Sequence, residues 1–162
     1  MMVTDEEYKN HHVFSELECY IDFYASLSWS VFSFCSTGTN AIYNIDSYVY
    51  SSIHGTLESI RNILYNGRIN DAYALLRKYY DSVIINVYSN LYLKDHIGVE
   101  NFIVEKINNW LKGKEQLPEF RVMSNYIRSS DKLAAISKLL NMDDRYKKVR
   151  DRCNDHTHYN FF

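Results

Sequence analysis

Residues 70–93 read NDAYALLRKYYDSVIINVYSNLYL, and this stretch decides the fold class. Ala72, Leu75, Leu76, Tyr79, Val83, Ile84, Val87, Leu91 and Tyr92 recur every three to four positions. That period matches the 3.6-residue turn of an α-helix and does not match the two-residue alternation of a strand. Immediately upstream stands Asn66-Gly67, a pair that stops a helix because Gly accepts the left-handed conformation without steric cost. Before it, Val49, Ile53, Leu57, Ile60 and Leu64 form a second helical stripe running from about Ser47 to Tyr65. Two long amphipathic helices joined by so short a connection must fold back as an antiparallel hairpin.

The remaining segments extend the same pattern. Thr4 or Asp5 caps a first helix, whose stripe of Leu17, Tyr20, Ile21, Tyr24, Leu27, Val31 and Phe34 ends at Ser36-Thr37-Gly38-Thr39-Asn40. A fourth helix is predicted over about Val99–Leu111, closed by Gly113, and Pro118 opens a shorter one in its first turn. Ser130-Asp131 caps another that runs to Leu140, and Asp143-Asp144 caps the last. No repeat, linker or low-complexity stretch interrupts them. The expectation is an all-α, single-domain helical bundle over 1–162 with the antiparallel hairpin at its core.

Composition agrees. Aromatics make up 15% of 162 residues, too many for a disordered chain, while five Gly and one Pro are too few for a sandwich or barrel. The formal net charge of −2 excludes a general electrostatic coating of nucleic acid. Cys19, Cys35 and Cys153 form no CxxC and read as reduced, mostly buried thiols of a cytoplasmic protein. The N-terminal MMVTDEEYKNHH is polar and acidic, unlike a secretory signal. Residues 23–45 carry no charge, but their many Ser, Thr and Asn residues make them too polar for lipid. They are expected to form a buried helix followed by a loop, and no membrane partner is expected.

Chemistry concentrates at the end of the chain. Arg145, Lys147, Lys148, Arg150 and Arg152 oppose only Asp151 between 145 and 152. On a helix, Arg150, Asn154 and His158 fall on one stripe, and Arg152 with His156 on the other flank of a face made by Tyr146, Val149, Cys153 and Thr157. Guanidinium groups grip phosphate oxygens in a forked geometry, and imidazole moves protons near neutral pH. Such a set, without a carboxylate-rich cage, suits phosphodiester chemistry needing no metal or other cofactor, with the RNA 2′-hydroxyl as internal nucleophile. His11-His12 and His156-Thr157-His158 are poorly aligned as metal ligands on a helix. Arg61, Arg68 and Arg77 with Asp81 are expected to form ion pairs, Arg77 and Asp81 standing at i and i+4, and one of the three arginines would supplement a phosphate site if the helix over 70–93 lines it. His54 reads as a packing or hydrogen-bonded residue. The tyrosines, at helical spacing, read as core and interface rather than as stacking platforms.

Asn66–Asp81, with its small loop, its Ala72, its Leu75-Leu76-Arg77 and its acidic Asp81, resembles the core helix of HEPN-superfamily proteins. The superfamily's second mark, an Arg followed after four to six residues by His in a late helix, fits Arg150 to His156 and Arg152 to His158. The resemblance covers under a quarter of the chain. It implies a metal-independent endoribonuclease, commonly a toxin or abortive-infection effector in antiviral defence, with sites composed across a homodimer. Arg152 or Arg150 would contact the scissile phosphate of an RNA substrate, and His158 or His156 would act as acid and base. Arg152 with His158 is favoured slightly, because Asn154 shares the His158 face and would orient it. The Tyr that marks the nucleotidylated toxin subgroup, two residues after the His, is not at that place: Tyr159 follows His158 directly. Other members are catalytically silent modules that bind RNA or protein, and an antitoxin or neighbouring defence protein is an implied partner.

Overall fold

The computed structural model describes residues 2–34, 45–98, 103–140 and 142–158. Its elements are α1 (Glu6–Lys9), α2 (His12–Phe34), α3 (Ile45–Tyr65), α4 (Ile69–His96), α5 (Glu105–Leu111), α6 (Phe120–Arg128), a 3₁₀ turn (Asp131–Leu133), α7 (Ala134–Leu140) and α8 (Arg145–Thr157). The protein is an all-α helical bundle. α4 is its centre, packing against α3 on one side and against α6 and α8 on others, while α2 packs mainly on α3.

The hairpin forms as its sequence requires. Gly67 takes φ 72°, Gly67 N–H donates to the Leu64 carbonyl, and Arg68 N–H donates to the Ile63 carbonyl. This double closure satisfies two carbonyls left open at the end of α3 and turns the chain directly into α4. The stripes then meet in a core of Ile21, Ile53, Leu57, Ile60 and Ala72, flanked by Leu17, Leu75, Leu76 and Tyr79. Burial of a side chain such as Ile53 stabilises by about 1.5–3 kcal/mol. A second cluster gathers Ile45, Leu93, Val104 and Ile107 around α5, and Val49 packs against both clusters.

Several expectations change. The first helix breaks at Asn10 and His11, so that the Tyr8 hydroxyl donates to the Leu64 carbonyl and Phe14 packs edge-on against Tyr8 and Tyr65. The predicted helix 99–111 begins at Glu105, after extended Val104, and residues 99–102 lie outside the described ones. Pro118 precedes α6 rather than opening it, since Glu119 is the N-cap. The reading of 23–34 as a buried helix is corrected: Phe23, Trp29 and Phe32 are exposed at 55%, 68% and 62%. Among the described residues, the covered side of α2 is the one that faces α3 and Tyr79 of α4, and Tyr20, placed in the predicted stripe, is exposed as well. The end of that expected segment, 35–44, falls outside the described residues, as does Cys35. Cys19 is exposed, contrary to the expectation of mostly buried thiols, whereas Cys153 is fully buried. No described helix is long and apolar enough to cross a membrane.

Candidate functional site

α8 runs antiparallel along the first half of α4, and the polar side chains between them form one cluster. Arg77 and Asp81 stand one turn apart on α4, and Arg77 Nε donates to Asp81 Oδ2 at 3.1 Å. Arg77 Nη1 donates to Asn154 Oδ1 on α8 at 2.5 Å. Arg150, one turn before Asn154, brings Nη1 to 3.7 Å from Asp81 Oδ1. That separation is an ion pair but too long for a hydrogen bond. Both of these atoms are buried and hydrogen-bond to no described residue.

Phe120, the first residue of α6, floors the cluster. Its ring lies 3.3 Å beneath the Arg150 guanidinium carbon and 5.4 Å from that of Arg77. A ring face attracts cations that have lost water, which is how two guanidiniums are held so close together. Their side chains are only 15% and 21% exposed, yet they share one carboxylate. The cluster therefore carries an uncompensated positive charge. Burial, then the neighbouring Arg77 charge, lowers the pKa of Arg150, with Asp81 opposing. Arg150 nonetheless stays charged at neutral pH, because its ordinary value is so high.

Cys153 sits behind this pair at 0% exposure. Burial raises its pKa, and the Arg77 and Arg150 charges only partly offset that effect. A thiol so placed remains protonated and serves as packing rather than as a nucleophile. Nearer the end of α8, the His156 ring stacks on Tyr73 of α4, with centroids 4.3 Å apart and planes at 11°.

The structure thus separates the two Arg–His pairs of the sequence. Arg150 and His156 lie against α4, half-buried, and Asn154 lies between them as a partner of Arg77. Arg152 and His158, the pair favoured from the sequence, are exposed. Asn154 is turned to Arg77 rather than to His158. The helical face of Tyr146, Val149 and Cys153 does point inward, but Thr157 is exposed, its hydroxyl donating to the Cys153 carbonyl at 2.8 Å. Arg77 and Asp81 pair as their spacing predicts. Phe120 and Tyr73 were not legible as site residues, because nothing local marks which helix a ring will meet. Elsewhere His54 Nδ1 pairs with Glu58 Oε2 at 3.7 Å. His11 Nδ1 accepts the Val13 N–H at 3.2 Å. The chain matches no family model, no curated protein and no solved structure.

The arrangement has one evident chemical capacity. Two partly desolvated guanidiniums that share one carboxylate are the residue type that grips a tetrahedral oxyanion such as phosphate.

Proposed function

We propose that this protein is a metal-independent endoribonuclease of HEPN type, a cytoplasmic toxin or antiviral abortive-infection effector that acts as a homodimer. The observation that carries the reading is the pair Arg77 and Arg150 sharing Asp81 over the Phe120 ring, with His156 on the same helix. Arg150, assisted by Arg77, holds the scissile phosphate. His156 takes the proton from the ribose 2′-hydroxyl. The 2′-oxygen forms a bond to phosphorus while the bond to the 5′-oxygen breaks, and the departing oxygen takes up a proton. The products are a 2′,3′-cyclic phosphate and a 5′-hydroxyl end. Six residues on a helix place His156 roughly 9 Å along the axis from Arg150, so a second α8 is needed to bring Arg and His to one phosphate. An antitoxin or neighbouring defence protein would restrain such an enzyme.

A second reading has its own support. Arg150 is already engaged by Asp81 and Phe120, which is how a structural cluster in a silent RNA- or protein-binding module would look. Incubation with RNA in EDTA separates the two. The enzyme reading expects cyclic-phosphate ends, and losses of about 10²–10⁴-fold for Arg150→Ala and His156→Ala but not for Arg152→Ala or His158→Ala. No cleavage by the wild type, or equal cleavage by all four variants, overturns it.

A further inference from the structure

A cavity of about 440 Å³ opens beside the charged cluster, between α4, α6, α7 and the start of α8. The volume lies within the range of small-molecule sites, roughly 300–1,000 Å³. Tyr79, Tyr80 and Tyr146 form its aromatic walls, with Ile84 among the aliphatic ones. Tyr80 meets Tyr146 edge-on, with centroids 5.4 Å apart and planes at 85°. Tyr79 and Tyr80 stand at 64°. The Tyr79 hydroxyl is engaged outside the cavity, 3.3 Å from the Tyr24 hydroxyl, so Tyr79 offers its ring. Polar groups line it on two helices: Ser124 and Arg128, one turn apart on α6, and Ser137 on α7.

The position of the cavity ties it to the phosphate cluster. Tyr80 immediately precedes Asp81, and Tyr146 precedes Arg150 by one turn of α8, roughly 6 Å of axial rise. A nucleotide with its phosphate on Arg77 and Arg150 has its base within reach of these walls. Aromatic and apolar walls with a few polar groups are the usual surroundings of an unstacked base. An alkyl chain would fill the walls but has no use for both Ser124 and Arg128.

We propose that the cavity receives the base of the nucleotide flanking the cleaved phosphate and thereby selects the sequence that is cut. The inference rests on the ribonuclease reading. Stacking on the tyrosines supplies affinity, while Ser124 and Arg128 read the base edge.

The test uses the full chain with labelled isoleucine and valine methyls, titrated by NMR with adenosine, guanosine, cytidine, uridine and decanoate. Saturable shifts of the Ile84 and Val87 methyls with one or more nucleosides are expected, together with a loss of affinity of about tenfold in Arg128→Gln. Ile84→Trp, which fills the cavity, abolishes the shifts. In parallel, cleavage sites are mapped on random-sequence RNA. The wild type prefers the same base beside its cuts, and the cuts Arg128→Gln still makes lose that preference. Decanoate shifts without nucleoside shifts, or an unchanged base preference in Arg128→Gln, overturn the inference. If nucleosides bind but RNA is never cut, the base site stands and the ribonuclease reading falls. If RNA is cut without base preference and no nucleoside binds, the base site falls and the ribonuclease reading stands.

Discussion

Asp81→Asn removes the one carboxylate that two half-buried guanidiniums share while preserving shape. At 3.7 Å the gross attraction between Asp81 and Arg150 is about 4 kcal/mol in an effective dielectric of roughly 20. Asp81 is 38% exposed, so water screens about half of that. The Arg77 contact at 3.1 Å loses its charge, but the amide oxygen still accepts the hydrogen bond and retains about 1 kcal/mol. Repulsion between Arg77 and Arg150, now unopposed, adds to the loss. The net destabilisation is about 2 kcal/mol, which for a chain of this size lowers Tm by roughly 4–8 °C. Thermal unfolding followed by circular dichroism at neutral pH and low salt measures it. Two further outcomes follow from the surplus charge. Millimolar sulfate raises the Tm of Asp81→Asn more than that of the wild type, since an oxyanion takes the place of the carboxylate. Arg150→Met costs stability in the wild type but is neutral or stabilising in Asp81→Asn, a coupling of about 1–2 kcal/mol. If Asp81→Asn melts within about 1 °C of the wild type and the two substitutions simply add, the cluster is not held by shared charge.

Two glycines are expected to respond in opposite directions. Gly67 has φ 72° and a side chain there meets Val3, so Gly67→Ala destabilises by about 1–2 kcal/mol. Gly55, inside α3 with open space around it, gains about 0.5–1 kcal/mol on conversion to Ala, both read by urea unfolding. At alkaline pH Tyr126 should matter. Burial and its hydrogen bond to Asp95 raise its pKa from 10.0 to about 12. A raised tyrosine favours the folded state only while protonated, so its contribution is complete below pH 10 and is lost as pH approaches 12. Tyr126→Phe therefore flattens the fall in Tm over that window, and spectroscopic titration of the phenol checks the same shift directly.

The hairpin was legible because its determinants are local: a glycine at the one position that requires positive φ, and two stripes of unambiguous period. α2 departs from the expectation for an equally physical reason. Its second half carries no charge, which suggests burial, yet Ser30 and Ser33 satisfy their hydroxyls on the Ser26 and Trp29 carbonyls at 2.8 Å, leaving an uncharged face that stands in solvent. At the candidate site, the residue types and the Arg77–Asp81 pair could be read in advance. Which Arg of α8 meets Asp81 depends on the register between two helices some seventy residues apart, and on where Phe120 arrives from α6. Neither is encoded in local spacing.

Val49 lies against both apolar clusters, one centred on the α3–α4 hairpin and the other on α5. Its place makes it the joint through which the two halves of the interior share their cooperativity. Trp110 packs on the α5 cluster, so in a Trp29→Phe background its fluorescence reports on that half, whereas Tyr79 belongs to the hairpin half. With Val49 intact, the two signals should change together on unfolding. Val49→Ala trims the joint without entering either centre, so the α5 cluster would open at lower denaturant than the hairpin and the single transition would resolve into two.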